Sequence, residues 1–187
     1  MPATKIMLIR HAEKPDGTAE GISAAGKADT KELIVRGWQR SGALVHLFAA
    51  RDGKFVAPQL AKPKTIFASE VGKHSNSLRP QHTVLELASQ LNLSLNLGFR
   101  KGDEIGLAKA ALAANGPVLI AWEHENIPMI VNAIAGNHTT CPQKWPDTRF
   151  DLVWILDQRA GGGWDFTQVP QMALSGDSDE LIAFSPK

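Results

Sequence analysis

Short apolar runs alternate with longer amphipathic stretches along the chain. Ile6, Met7, Leu8 and Ile9 form the first run, which stops at the charged pair Arg10-His11. A run this short reads as a buried strand. Residues 12–25 are polar, contain Pro15, Gly17 and Gly21, and read as loop. Ser23 offers a helix N-cap, and residues 27–50 place Leu33, Trp38, Leu44, Leu47 and Phe48 at roughly helical intervals, which predicts a first helix. Gly37 and Gly42 weaken that helix, at about 1 kcal/mol each against alanine. Residues 51–64 carry Gly53, Pro58 and Pro63 and form a connection; residues 65–69 are a second short strand. Val84, Leu87, Ala88 and Leu91 then give an i, i+3, i+4, i+7 stripe, with Pro80 suited to the first turn. A third helix is expected over residues 103–114, stopped by Gly116-Pro117, and a third buried strand over residues 118–122. Residues 126–135 read as a helix with Pro128 in its first turn and Gly136 as its C-cap. Residues 150–156 and 164–169 flank Gly161-Gly162-Gly163 and read as a hairpin, followed by a polar tail expected to be ordered only in part.

Strands alternating with helices predict an α/β fold: a mostly parallel central sheet with helices on both faces, in a single domain spanning residues 1–187. In such sheets ligands bind beyond the carboxyl ends of the strands. The 187 residues suffice for one domain with a sizeable core. Lys and Arg total 20 against 19 Asp and Glu, a balance that argues against a nucleic-acid binder. The single cysteine, Cys141, excludes an intramolecular disulfide and a multi-cysteine zinc site. The apolar runs are too short to span a bilayer, and the first ten residues lack the pattern of a secretory signal, so a cytoplasmic protein with no membrane partner is expected.

Unusual polar residues sit at three strand ends. The first strand leads into Arg10-His11-Ala12-Glu13. The second leads into Ser69-Glu70 and a loop carrying Arg79 to a helix start, and the third into Glu123-His124-Glu125-Asn126. Two histidines and two arginines therefore meet on one rim of the sheet. Phosphoryl chemistry needs this set. Guanidinium forks neutralise phosphoryl oxygens. A neutral imidazole can attack phosphorus and hold it covalently. A second imidazole can donate to the oxygens as charge rearranges, and a carboxylic acid can protonate the departing oxygen. Taken singly, each residue has a plainer reading as a solvated charge, a hydrogen-bonded histidine or a helix-terminal carboxylate. Their shared place at strand ends is what joins them.

At these residues the chain resembles the histidine phosphatase superfamily, also called phosphoglycerate-mutase-like. Leu8-Ile9-Arg10-His11-Ala12-Glu13 is similar to the family's opening strand and Arg-His motif. Ser69 and Ser77-Leu78-Arg79-Pro80-Gln81-His82-Thr83 are similar to its Ser-x-Arg-x-x-x-Thr segment, and residues 118–124 to the strand before its second histidine. The resemblance extends over residues 5–136. It implies a three-layer α/β/α sandwich and a phosphatase that needs no metal or other cofactor. His11 would be the nucleophile, with Arg10, Arg79 and His124 forming the phosphate pocket. The substrate would be a phosphorylated small molecule or a phosphoprotein.

The sequence also departs from the family pattern. His82 stands where the family usually has glutamine, Glu123 and Glu125 flank the second histidine, and the glutamate motif of the mutase branch has no match. The last departure favours water as phosphoryl acceptor. The proton donor stays open between Glu104, in the right region of the chain, and Glu125, directly after His124. Glu13 is a third candidate, and also reads as an orienting or substrate-binding partner. His74, in the loop before Arg79, is placed to reach the pocket rim. Residues 12–25, 51–64 and 137–149 are loops expected to set substrate choice. Two other readings compete. One is a metallohydrolase drawing on His11, Glu13, His74 or His124, for which no His-x-x-x-His or His-Glu-x-x-His pattern exists. The other is a binder that recognises a phosphorylated ligand on the same fold without hydrolysing it.

Overall fold

The computed structural model describes residues 3–72 and 75–184. Ten elements follow one another: β1 (Lys5–Arg10), α1 (Val35–Phe48), β2 (Thr65–Ala68), α2 (Arg79–Gln90), β3 (Leu95–Asn96), α3 (Glu104–Ala113), β4 (Val118–Trp122), α4 (Ile127–Ala135), β5 (Leu152–Gln158) and β6 (Trp164–Pro170). The strands form one sheet in the order β3-β2-β4-β1-β5-β6. The first four positions are parallel; β5 runs antiparallel to β1, and β6 antiparallel to β5. The expected mostly parallel α/β sheet is what the chain builds.

Side-chain alternation along the central strands divides the core in two. Ile6, Leu8, Val118, Ile120 and Trp122 join one buried cluster with residues of α3 and α4. Met7, Ile9, Leu119 and Ala121 join the other with residues of α1 and α2. Strands covered on both faces have no polar positions to spare, which is why they read as unbroken apolar runs. The result is the three-layer α/β/α sandwich.

Most boundaries fall within two residues of the sequence expectation. Pro80 lies in the first turn of α2, Asp103 caps α3 by accepting from the Gly106 N–H, and Gly136 ends α4 at φ +73°. The first helix is the main exception, for it begins at Val35, eight residues later than expected. Its missing turns are bound to the preceding loop instead. The Ile22 N–H donates to the Leu33 carbonyl, the Asp29 N–H to Gly21, and the Ile34 N–H to Glu13. Ser23 takes the Lys27 N–H within a turn and caps no helix. Strand β3, two residues at the sheet edge, has no sequence signal. The tail, expected to be only partly ordered, is pinned over residues 171–184. Asp177 accepts from Arg40 and from the Ala173 and Leu174 N–H groups, Asp151 from the Ser178 N–H, and the Ile182 N–H donates to Gln168.

Among the described residues, no helix is long and apolar enough to cross a membrane.

Candidate active site

The parallel register brings the ends of β1, β2 and β4 to one rim. Arg10 pairs with Trp122 and Ala68 with Ala121, so His11, Ser69 and Glu123-His124 emerge side by side. The His11 N–H donates to the Trp122 carbonyl at 3.0 Å, continuing the ladder one residue past the strand. The next N–H, of Ala12, donates to Thr83 Oγ1 at 2.8 Å, and that hydroxyl donates to the Arg79 carbonyl at 2.7 Å. Thr83 thereby fixes the start of α2, and with it Arg79, against the His11 segment.

His11 is buried, with Nδ1 2.7 Å from the Ala12 carbonyl oxygen. A carbonyl only accepts, so Nδ1 carries the proton and Nε2 keeps its lone pair. Burial drives the pKa down from 6.5 to about 3, against the Ala12 bond; Arg10, Arg79 and His124 push it the same way as burial. The ring is therefore neutral at physiological pH.

Arg10 is wholly buried. Its Nη1 donates to the carbonyls of Pro146, Asp147 and Arg149, and its guanidinium lies 3.7 Å from the centre of the Phe150 ring. Burial lowers its pKa to about 10, which leaves it charged. Arg79 donates from Nη1 to the Thr30 carbonyl at 3.0 Å. His124 meets Asp147 Oδ1 through Nε2 at 2.8 Å, and its pKa is lowered by burial and by Arg10, with Asp147 opposing. After these bonds are made, Arg10 Nε and Nη2, Arg79 Nε, His124 Nδ1 and Glu123 Oε2 remain buried without a protein partner. Buried polar atoms are normally satisfied, and orphans gathered at one place mark a site for a ligand.

A cleft of about 140 Å³ opens there, lined by His11, Lys14, Arg79, Glu123, His124 and Glu125 among others. His11, Arg79 and His124 thus share one cleft, and Arg10, buried and outside its lining, lies close enough to lower the proton affinity of His11 and His124. The carboxylates are placed differently from one another. Glu125 stands at the rim with a largely exposed side chain, and Lys101, 2.9 Å away, holds its pKa below the usual range. Glu104 is buried behind the cleft, where Oε1 accepts from Trp122 Nε1, Asn126 Nδ2 and the Gly102 N–H. Glu13 is buried and clamped by Arg40 at 2.8 Å and Arg36 at 3.1 Å; Arg40 also grips Asp177 at 2.7 Å. Neither Glu104 nor Glu13 lines the cleft. His74 lies outside the described residues.

The unusual His82 turns away from the cleft and pairs through Nδ1 with Glu32 at 2.7 Å. Its neighbour Gln81 donates to the Ser69 carbonyl at 3.1 Å, bracing the end of β2. Sequence reasoning missed Asp147 and Phe150, which orient His124 and Arg10. Both lie around the end of a loop, where periodicity carries no signal. It also read Glu123 as an exposed or helix-terminal carboxylate, whereas the side chain is buried. The apolar run ending directly at Glu123 was the available clue. Among the described residues, no group of three or more His, Cys, Asp or Glu side chains is arranged to hold a metal ion.

No family model and no curated protein matches the sequence. Solved structures do. A protein assigned as the phosphohistidine phosphatase SixA from Agrobacterium tumefaciens aligns at TM-score 0.52 and 20% identity, over 89% of this chain and 98% of its own. A phosphoserine phosphatase from Entamoeba histolytica, solved as a mutant in complex with phosphoserine, aligns at TM-score 0.53 and 11% identity, over 88% and 94%. A mycobacterial glucosyl-3-phosphoglycerate phosphatase aligns at TM-score 0.51 and 11% identity, over 91% and 99%. At such identities the likeness is one of backbone architecture, and it agrees with the strand order and layers described above: the chain has the fold of the histidine phosphatase superfamily.

Proposed function

We propose that the protein is a phosphatase that hydrolyses phosphate monoesters through a phosphohistidine on His11, without a metal. The observation that carries this reading is the cluster of orphaned donors around an imidazole whose Nε2 lone pair is free. A phosphoryl group in the cleft supplies the acceptors that Arg10 Nε and Nη2 and Arg79 Nε lack. Its negative charge also reverses the local field. Burial and the charge of Arg10 lower the proton affinity of His124; the bound anion offsets that charge and favours the protonated ring. It is then held by Asp147 at Nε2 and donates to the phosphoryl oxygens from Nδ1. His11 Nε2 attacks phosphorus as the ester P–O bond breaks, and its Nδ1 proton stays on the ring, held by the Ala12 carbonyl, which steadies the cationic phosphoimidazole. Water then displaces the imidazole and releases inorganic phosphate. Fold neighbours act on phosphohistidine, phosphoserine and a glucosyl phosphoglycerate by their names, so the fold leaves the choice among phosphorylated substrates to the loops around the rim.

Hydrolysis of p-nitrophenyl phosphate in the presence of a chelator tests the reading. Wild-type turnover should persist, and His11→Ala should lose it by on the order of 10³-fold or more. A rapid quench should trap a phosphoenzyme that is labile in acid and stable in alkali. Turnover undiminished in His11→Ala would remove the nucleophile. Phosphate binding with no turnover of any ester would leave a phosphate-ligand binder.

A further inference from the structure

An ester oxygen leaving phosphorus needs a proton, and the donor must face the cleft with a proton in place near neutral pH. Glu123 faces the cleft, and its burial favours the protonated form. It follows the last residue of β4, the strand between β2 and β1, and lines the cleft with His11, Arg79 and His124. Its Oε1 accepts from the Ser69 hydroxyl at 3.2 Å, while Oε2 is buried without a hydrogen-bond partner. A carboxylate with a bare buried oxygen is costly, whereas protonation turns that oxygen into an O–H donor on a residue that lines the cleft. Burial pushes its pKa above the usual carboxylate range, against its own backbone N–H, the Ser75 and Ser69 hydroxyls and Lys101. Arg79, on α2, also faces it, and their attraction favours the ionised form. That contact leaves Glu123 able to release its proton once the leaving oxygen is ready to take it.

Resting on the phosphatase reading above, we propose that Glu123 is the catalytic acid and base of this cleft. As the bond from His11 Nε2 to phosphorus forms and the ester P–O bond breaks, the Glu123 carboxyl proton passes to the leaving oxygen, giving the free alcohol. The resulting carboxylate then takes a proton from the water that attacks the phosphohistidine. The P–N bond breaks, its electron pair returns to Nε2, and the starting state of both side chains is restored.

The test is the dependence of Glu123→Gln on the leaving group. With phenyl phosphate and glycerol phosphate, whose leaving oxygens are basic, kcat/KM should fall by about 10²–10⁴-fold. With 2,4-dinitrophenyl phosphate, which departs as a stable anion, the loss should be at least about tenfold smaller. An equal loss across the series overturns the assignment. A second measurement needs no variant. In the wild type, kcat/KM for phenyl phosphate should fall on the alkaline side at a lower pH than for the dinitrophenyl ester, because only the former needs the Glu123 proton. Coincident profiles overturn it. Trapping the phosphoenzyme separates the two levels. Phosphohistidine on His11 with a leaving-group-independent Glu123→Gln loss removes Glu123 alone, whereas no phosphohistidine in the wild type removes the reading on which it rests.

Discussion

At the scale of single residues, the site is built from groups held away from their preferred states. His11 is kept neutral by burial and by neighbouring cations, and its preference for remaining so has a thermodynamic signature. In the unfolded chain it takes a proton as pH falls through 6.5; in the folded protein it does not until about pH 3. The unfolded state thus binds more protons across that interval, and stability declines as pH falls through it. Above 6.5 neither state is charged and His11 contributes no slope. Chemical denaturation at about pH 7 and about pH 5 should show a wild-type loss that exceeds that of His11→Asn by about 2 kcal/mol. Equal losses in the two proteins would mean that the imidazole is not held neutral. Such tuning was only partly legible in the sequence. Arg10, His11, Arg79 and His124 could be named because strand ends in a parallel sheet point to one rim. The burial of Glu123, and the use of Glu104 to tie Trp122 to Asn126, depend on packing that no spacing encodes.

At the scale of elements, legibility followed how local the determining forces are. Helix α4 was readable to within a residue because a proline in its first turn and a glycine at its C-cap are local signals. The start of α1 was not, because residues 27–34 exchange helical hydrogen bonds for bonds to the loop after His11, a choice made by tertiary contacts. Gly37 makes the same point. In the sequence it weakens a helix; in the structure it lets α1 approach the His11 loop so closely that a Cβ there would stand 2.6 Å from the Glu13 carbonyl oxygen. The atom in the way is backbone, and Glu13 is already fixed by Arg36 and Arg40 from the same helix, so the loop cannot yield cheaply. Gly37→Ala, an improvement by helix propensity, should instead lower stability by about 1–3 kcal/mol. Because the displaced loop carries His11, kcat for p-nitrophenyl phosphate should fall with it. Denaturant titration and steady-state kinetics check both, and a stabilised, fully active variant would show that the close approach is not required.

At the scale of the whole molecule, the sandwich works as a frame that holds unsatisfied charge. Strands β1 and β4 carry the two histidines, α2 brings Arg79 from one helical layer, and the segment before β5 supplies the carbonyls that grip Arg10. The pinned tail reaches this segment, since Arg149 bonds the Ser178 and Glu180 carbonyls while its own carbonyl accepts from Arg10. Arg10 and Arg79 lie close to each other and to His11: Arg79 lowers the proton affinity of Arg10, both lower that of His11, and Arg10 lowers that of His124. That repulsion disfavours the folded state and is relieved when a tetrahedral oxyanion enters. Because the pocket exists only in the folded protein, an anion that fits it must stabilise the fold, by about 2.7 kcal/mol at a hundred times its dissociation constant. Thermal unfolding should therefore shift upward with phosphate or vanadate and much less with chloride at matched ionic strength. Arg79→Met, which removes one of the forks, should reduce the phosphate shift at a fixed concentration more than a substitution of the exposed Arg159 does. A shift equal in the two variants would place anion binding outside the cleft.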